Sequence, residues 1–261
     1  MLTAENLLHE WKKSKWCRPL IRGFSPIVGD LIERLSETQD ITSVLELGIG
    51  GGGSHEKWAQ AGADIVGGIE LFHPDVVNEL IGGANMQEFW HQSYKFLHES
   101  TIPQNGQRFK EPCVYRFSHG LDVYADETPK EYHNQHGIDE WHIICDDSAN
   151  GVNLQHPFVP LWKDYLSQNG IMISMNPNGY GTDEARCASW SDNVNMFREH
   201  SQHGMVIFDC MPFVKDSWQH EQYGSIASGR WMGVYTPNMD LYRDIYLKYE
   251  EHVVEGDSFL K

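Results

Sequence analysis

Closely spaced cysteine pairs are missing from this chain. Its five cysteines, Cys17, Cys113, Cys145, Cys187 and Cys210, are scattered, odd in number and never in C-x-x-C spacing. That argues against a disulfide framework and fits reduced thiols in a cytoplasmic protein. Basic residues are scarce: 20 Lys and Arg stand against 37 Asp and Glu, a net charge of -17. Phosphate backbones are gripped by clustered Lys and Arg, so nucleic acid is not expected as the main partner. Apolar runs of membrane-spanning length are absent, and the opening MLTAENLLHEWKKSKW lacks a signal-peptide core, so no membrane is expected either. Repeats and low-complexity tracts are also lacking. The 261 residues suffice for one large domain with a sizeable core.

What is present centres on residues 41–74, ITSVLELGIGGGGSHEKWAQAGADIVGGIELFHP. Val44, Leu45 and Leu47 make a short buried strand, and Gly48 and Gly50 to Gly53 follow at once. Ser54 offers an N-cap and Glu56 lies in the first turn of a helix running to about Gln60. Ala61-Gly62 ends that helix, and a second apolar strand from Ile65 closes on Glu70. This is a βαβ unit with a glycine-rich first turn, the architecture of a nucleotide pocket.

The glycines fit two ligands. Gly48, Gly50 and Gly53 satisfy the dinucleotide pattern G-x-G-x-x-G. Gly48, Gly50 and Gly52 with Glu46 satisfy E-x-G-x-G-x-G, the pattern of enzymes that use S-adenosylmethionine (SAM). Both ligands carry an adenosine whose ribose suits Glu70. Charge separates them. A pyrophosphate wants bare amides at a helix N-terminus, whereas a methionine moiety carries an ammonium and a sulfonium that an acid attracts. Glu46 at the strand mouth therefore favours SAM.

Along the chain, residues 1–40 form a helical N-terminal segment, a lid or acceptor side, ahead of a main domain over 41–261. Within the segment, Ile27 to Leu35 has helical apolar spacing and is expected over the sheet edge. Helices follow near Pro74 and over Met86 to Glu99. The third strand is expected at Cys113 to Phe117, then a polar loop or short helix at Thr128 to Gly137. The fourth strand is expected at Trp141 to Cys145, ending in Asp146-Asp147. A helix from His156 to Ser167 closes on Asn169-Gly170, and the fifth strand runs from Ile171 to Met175. After a helix at Asp192 to His200, strands at Met205 to Val214 and Ile226 to Tyr235 have too short a connection for a parallel crossover and form an antiparallel hairpin. A C-terminal helix spans Asp240 to Val253. The expected fold is α/β, a Rossmann-like seven-stranded sheet with helices on both faces.

On these residues the chain resembles the class I SAM-dependent methyltransferases. It is most similar to the macrolide-sugar O-methyltransferases of macrocin and mycinamicin type. The likeness is carried by Lys15-Trp16, ELGIGGGGS at 46–54, Trp58, Glu70 and DDSAN at 146–150, and covers roughly residues 11–181. It implies SAM as cofactor, methyl transfer to a small-molecule or sugar hydroxyl, and Glu46, Gly48, Gly50, Gly52 and Glu70 as cofactor residues. In that family a DDGSH-like motif and a Glu-Asp pair after the fifth strand hold magnesium. Here Asn150 replaces the His, and Asn176 and Asn178 stand where carboxylates are expected. Magnesium prefers anionic oxygen ligands, so a metal-independent reaction is the expectation.

Methyl transfer to a hydroxyl needs positioning and a route for the acceptor proton. Asp146, Asp147 and His156 are the catalytic candidates, with Asp146 also beside the methionine. His119 and Asp122 follow the third strand, where adenine is contacted; either also suits a turn cap. His133 with His136 and His200 with His203 read as surface pairs, and Tyr180 and Trp231 as pocket walls or core. Two other functions fit the same residues: a SAM-binding module without catalysis, and an NAD-linked oxidoreductase.

Overall fold

The computed structural model describes residues 26–49, 58–59, 61–70, 114–146, 148, 158–174, 204–209 and 231–256. Gly50, Gly52, Asp147, His156, Asn176, Asn178, Tyr180 and the histidines at 200 and 203 lie outside these residues. So do the helices expected near 74, over 86–99 and over 192–200.

Five strands run parallel: β1 (Ser43–Leu47), β2 (Ile65–Glu70), β3 (Val114–His119), β4 (Trp141–Asp146) and β5 (Leu166–Ser174). β6 (Met205–Asp209) and β7 (Trp231–Tyr235) pair antiparallel, and β7 also lies antiparallel against β5. The expected antiparallel pairing of the sixth and seventh strands is therefore present. An eighth strand, β8 (Val253–Gly256), was not expected; it pairs antiparallel with β6. The order among the described residues is β3-β2-β1-β4-β5-β7-β6-β8.

Helices cover both faces, and strand alternation explains how. Val44 belongs to one apolar cluster and its neighbours Leu45 and Leu47 to the other. The first cluster takes in α1 (Pro26–Thr38), through Ile27, Leu31, Ile32 and Leu35. The second takes in Tyr132 of α2 (Thr128–His136) and Val159 and Trp162 of α3 (Phe158–Trp162). α4 (Met239–Lys248) joins the first face, where Lys248 Nζ meets Asp30 Oδ2 of α1 at 2.7 Å. α1 thus shares its cluster with the central strands (Val44, Ile143 and Ile171) and does not merely cover the sheet edge. β1 is buried along its whole length, including its two polar residues, Ser43 and Glu46.

Two boundaries differ by several residues from the sequence reading. The helix expected to reach Ser167 stops at Trp162; one 3-10 turn follows over 163–165, and β5 already begins at Leu166. Asn-Gly is ordinarily a turn signal, but Asn169-Gly170 lies inside the strand. A Cβ at Gly170 would sit 2.8 Å from Leu166 Cδ1 and 2.9 Å from the His142 carbonyl oxygen, so the close approach explains the glycine. At the other boundary, the helix expected to reach Val253 ends at Lys248. Glu250 and Glu251 would have put negative charge at a helix C-terminus, which opposes the macrodipole, and the β-branched Val253 and Val254 favour the strand that follows. Among the described residues, no helix is long and apolar enough to cross a membrane.

Candidate functional site

The strand order reverses between β1 and β4. In open parallel sheets, the crevice beyond the carboxyl ends at such a reversal is where ligands bind. The register brings the expected residues to this edge. Leu47 lies opposite Ile69 on β2 and Asp146 on β4, Glu70 lies opposite His119, and Asp146 lies opposite Ser174. Glu46, Gly48, Glu70, His119 and Asp146 therefore share one end of four adjacent strands.

Gly48 leaves β1 with φ +85°, a left-handed conformation that costs a glycine little. Its N–H donates to the Ile69 carbonyl at 2.9 Å, so the turn starts tight against β2. Glu46 is 1% exposed, beside Cys145 in the register. By alternation its side chain belongs to the α1 and α4 face, and that of Asp146 to the α2 and α3 face. The two acids flank the crevice from opposite sides. Glu70 is half-buried at the end of β2, where its carbonyl accepts the Gly120 N–H at 2.9 Å.

Asp146 is 3% exposed. Tyr124 Oη donates toward its carboxylate, 3.1 Å from Oδ2 and 3.3 Å from Oδ1. The Ser148 hydroxyl donates to Oδ1 at 2.6 Å and the Ser148 N–H at 3.2 Å. Tyr124 Oη and Ser148 Oγ are themselves 2.6 Å apart. Two hydroxyl hydrogens thus serve four oxygen–oxygen contacts among three groups, and a proton on the carboxyl would complete the ring. Burial pushes the Asp146 pKa up to about 6, against the opposing pull of the Ser148 and Tyr124 hydrogen bonds. Burial, and then the Asp146 charge, raise that of the Tyr124 phenol. A carboxyl near neutrality suits proton transfer.

Sequence reasoning missed Tyr124 and Ser148. Ser148 lies inside the DDSAN motif, but nothing in the chain marks a tyrosine arriving from the far side of β1 and β2. Asp122 is exposed and takes the turn-cap role: its Oδ1 accepts the Tyr124 N–H at 3.0 Å. His119 closes β3, within the strand and not after it.

The reading of His133 as a surface residue is overturned. It is buried, its Nε2 accepts the Trp141 indole N–H at 2.9 Å, and its Nδ1–H donates to the Pro129 carbonyl. Its ring stacks on Tyr165 with centroids 3.9 Å apart. His133 fails as a surface residue because α2 forms fully and turns this position onto Trp141. His136 is half-buried too and meets Ser118 Oγ through Nε2 at 2.8 Å.

The structure also bears on the fit of a metal. Hydroxyls and an amide surround Asp146 and occupy lone pairs that direct coordination of a metal would need, while the carboxylate keeps its charge for a nearby organic cation. Among the described residues no three His, Cys, Asp or Glu side chains are grouped to hold a metal. The described residues do not fit magnesium.

No protein-family profile matches the sequence, and no curated protein matches it either. Solved structures give partial likenesses. One is the O-methyltransferase TomG from Streptomyces achromogenes, involved in tomaymycin synthesis and crystallised with SAM. It is 12% identical, with a TM-score of 0.46 over 88% of this chain and 89% of that one. Another is an O-methyltransferase from Bacillus cereus in complex with SAH, 14% identical, with a TM-score of 0.46 over 88% and 90%. Values this low leave the fold resting on the strand order itself.

Proposed function

We propose that the chain is a SAM-dependent methyltransferase acting on a small-molecule hydroxyl. The observation that carries this reading is the set of acids at the reversal of the strand order. Glu46, Glu70 and Asp146 stand on three adjacent strand ends around the Gly48 turn. Such a set repels a pyrophosphate and suits an adenosine whose tail bears an ammonium and a sulfonium. Glu70 would serve the ribose, and Gly48, Gly50 and Gly52 would let the backbone approach the ligand. Glu46 and Asp146 would face the methionine, with His119 and Asp122 on the adenine side.

SAM, when bound, would supply the methyl group in line from sulfur to the acceptor oxygen, the carbon–sulfur electron pair remaining on sulfur. The acceptor proton passes to a base. Asp146, ionised at neutral pH yet close to its pKa, is the described candidate, with Asp147 and His156 beside it in the sequence. The cytoplasm is the compartment that fits five cysteines odd in number and never in C-x-x-C spacing, and residues 1–40 are proposed as the lid or acceptor side.

A second reading, SAM binding without transfer, draws support from Asn176 and Asn178 in place of the family's carboxylates. Calorimetry with SAM and NAD, followed by turnover with a panel of hydroxylated metabolites, separates the cases. SAM binding with transfer is expected. NAD binding without a response to SAM overturns the proposal, and SAM binding without transfer to any acceptor favours the second reading.

A further inference from the structure

Tyr124 and Asp146 leave strands that are not neighbours, because β2 and β1 lie between β3 and β4. At about 4.8 Å per strand, the two strand ends stand roughly 14 Å apart. The segment after β3 closes that gap and is tied down at consecutive residues. The Asp122 carbonyl accepts from Thr128 Oγ1 at 2.6 Å, and the Asp122 carboxylate accepts the Tyr124 N–H. The Val123 carbonyl accepts the indole N–H of the buried Trp162 at 3.0 Å. Tyr124 therefore reaches Asp146 on a braced arm, while Ser148 grips the same carboxylate from the β4 side. An aspartate side chain has several staggered rotamers open to it; donors from two separate elements select one.

We propose that Tyr124, assisted by Ser148, is a positioning residue: its hydroxyl fixes the Asp146 carboxylate at the β1–β4 crevice in the orientation that meets a cationic ligand. The proposal rests on the SAM reading of the site. A tyrosine that only packed the segment would need its ring alone. The hydroxyl instead reaches Asp146, the last residue of β4, and Ser148 just beyond it.

The test is a calorimetric titration with SAM, taken to millimolar concentration, of the wild type, Tyr124→Phe, Asp146→Asn and the double variant. Tyr124→Phe is expected to keep the wild-type melting profile to within a few degrees. Its SAM affinity should fall roughly tenfold to 150-fold, the effect of one hydrogen bond to a charged group. In the Asp146→Asn background the same change should cost less than twofold, because the phenol acts through the carboxylate. Equal losses in the two backgrounds would assign Tyr124 a merely structural role and overturn the proposal, as would unchanged affinity in a folded Tyr124→Phe. If that variant does not fold, Ser148→Ala in both backgrounds takes its place, and wild-type affinity there overturns the proposal. Wild-type protein that ignores SAM sinks the ligand reading itself, an outcome visible before any variant is made.

Discussion

The indole nitrogen of Trp141 donates to Nε2 of His133 at 2.9 Å, and this bond decides where the histidine carries its proton. With Nε2 an acceptor, the hydrogen must sit on Nδ1, which the Pro129 carbonyl receives. Protonating the ring would set a second N–H against the indole N–H. Burial, which strips water from the charged ring, lowers the His133 pKa as well.

The neutral Nδ1–H tautomer is therefore expected to persist at pH 6, as read by long-range proton–nitrogen NMR. Stability follows with a definite sign. The unfolded chain protonates this histidine near pH 6.5 while the native state resists. Stability is thus lost as pH falls below about 6.5. His133→Gln retains a donor and an acceptor but does not titrate. Denaturation at pH 7.5 and 5.5 should show a larger loss for the wild type than for this variant.

Asp146 titrates with the opposite consequence. Its folded pKa of about 6 lies above the ordinary carboxylate value, so the native state binds the extra proton between roughly pH 4 and 6. Stability from this group is present in acid and disappears as pH rises through 6. At neutral pH the buried charge costs up to about 3 kcal/mol. Asp146→Asn, the isostere of the protonated form, should be the more stable protein at pH 8, with the gap closing toward pH 4. A gap that does not change with pH would contradict the burial argument.

Glu70→Ala should weaken SAM binding by about 1.5–3 kcal/mol, the loss of hydrogen bonds to a charged group. Calorimetry with SAM and S-adenosylhomocysteine measures it. Equal affinities for wild type and variant would move the ribose away from the end of β2.

Turnover should survive exhaustive EDTA treatment. The donors around Asp146 and the neutral Asn176 and Asn178 give magnesium little return for its lost water. Activity that vanishes with chelator and returns with magnesium would restore a metal mechanism.

The βαβ signature was legible in the sequence because its parts are contiguous. Glu46, Gly48 and Glu70 lie within one supersecondary unit whose geometry is local. Asp146 was found for a similar reason, as the polar end of an apolar strand. Its partner Tyr124 was not, because the contact depends on a segment crossing two strands of the sheet, which no spacing encodes. Asn169-Gly170 misled because a turn dipeptide and a glycine admitted for lack of space look alike in one dimension. His133 was misjudged with its polar neighbours: α2 is amphipathic over a short span, and Tyr132 and His133 alone supply much of its buried side.

The eighth strand has a consequence for biogenesis. β6 is paired on both flanks only because β8 lies against it. Of the eight strands, β8 is the last that the ribosome delivers. β8 is itself the sheet edge, but at four residues with Glu255 among them it is a short edge bearing a charge, the kind that resists pairing. Until it docks, the edge is the apolar run Met205 to Phe208 of β6, a template for sticking to another chain. Translation halted before Val253 would leave that flank exposed, and the shortened product would tend to aggregate even with its crevice intact.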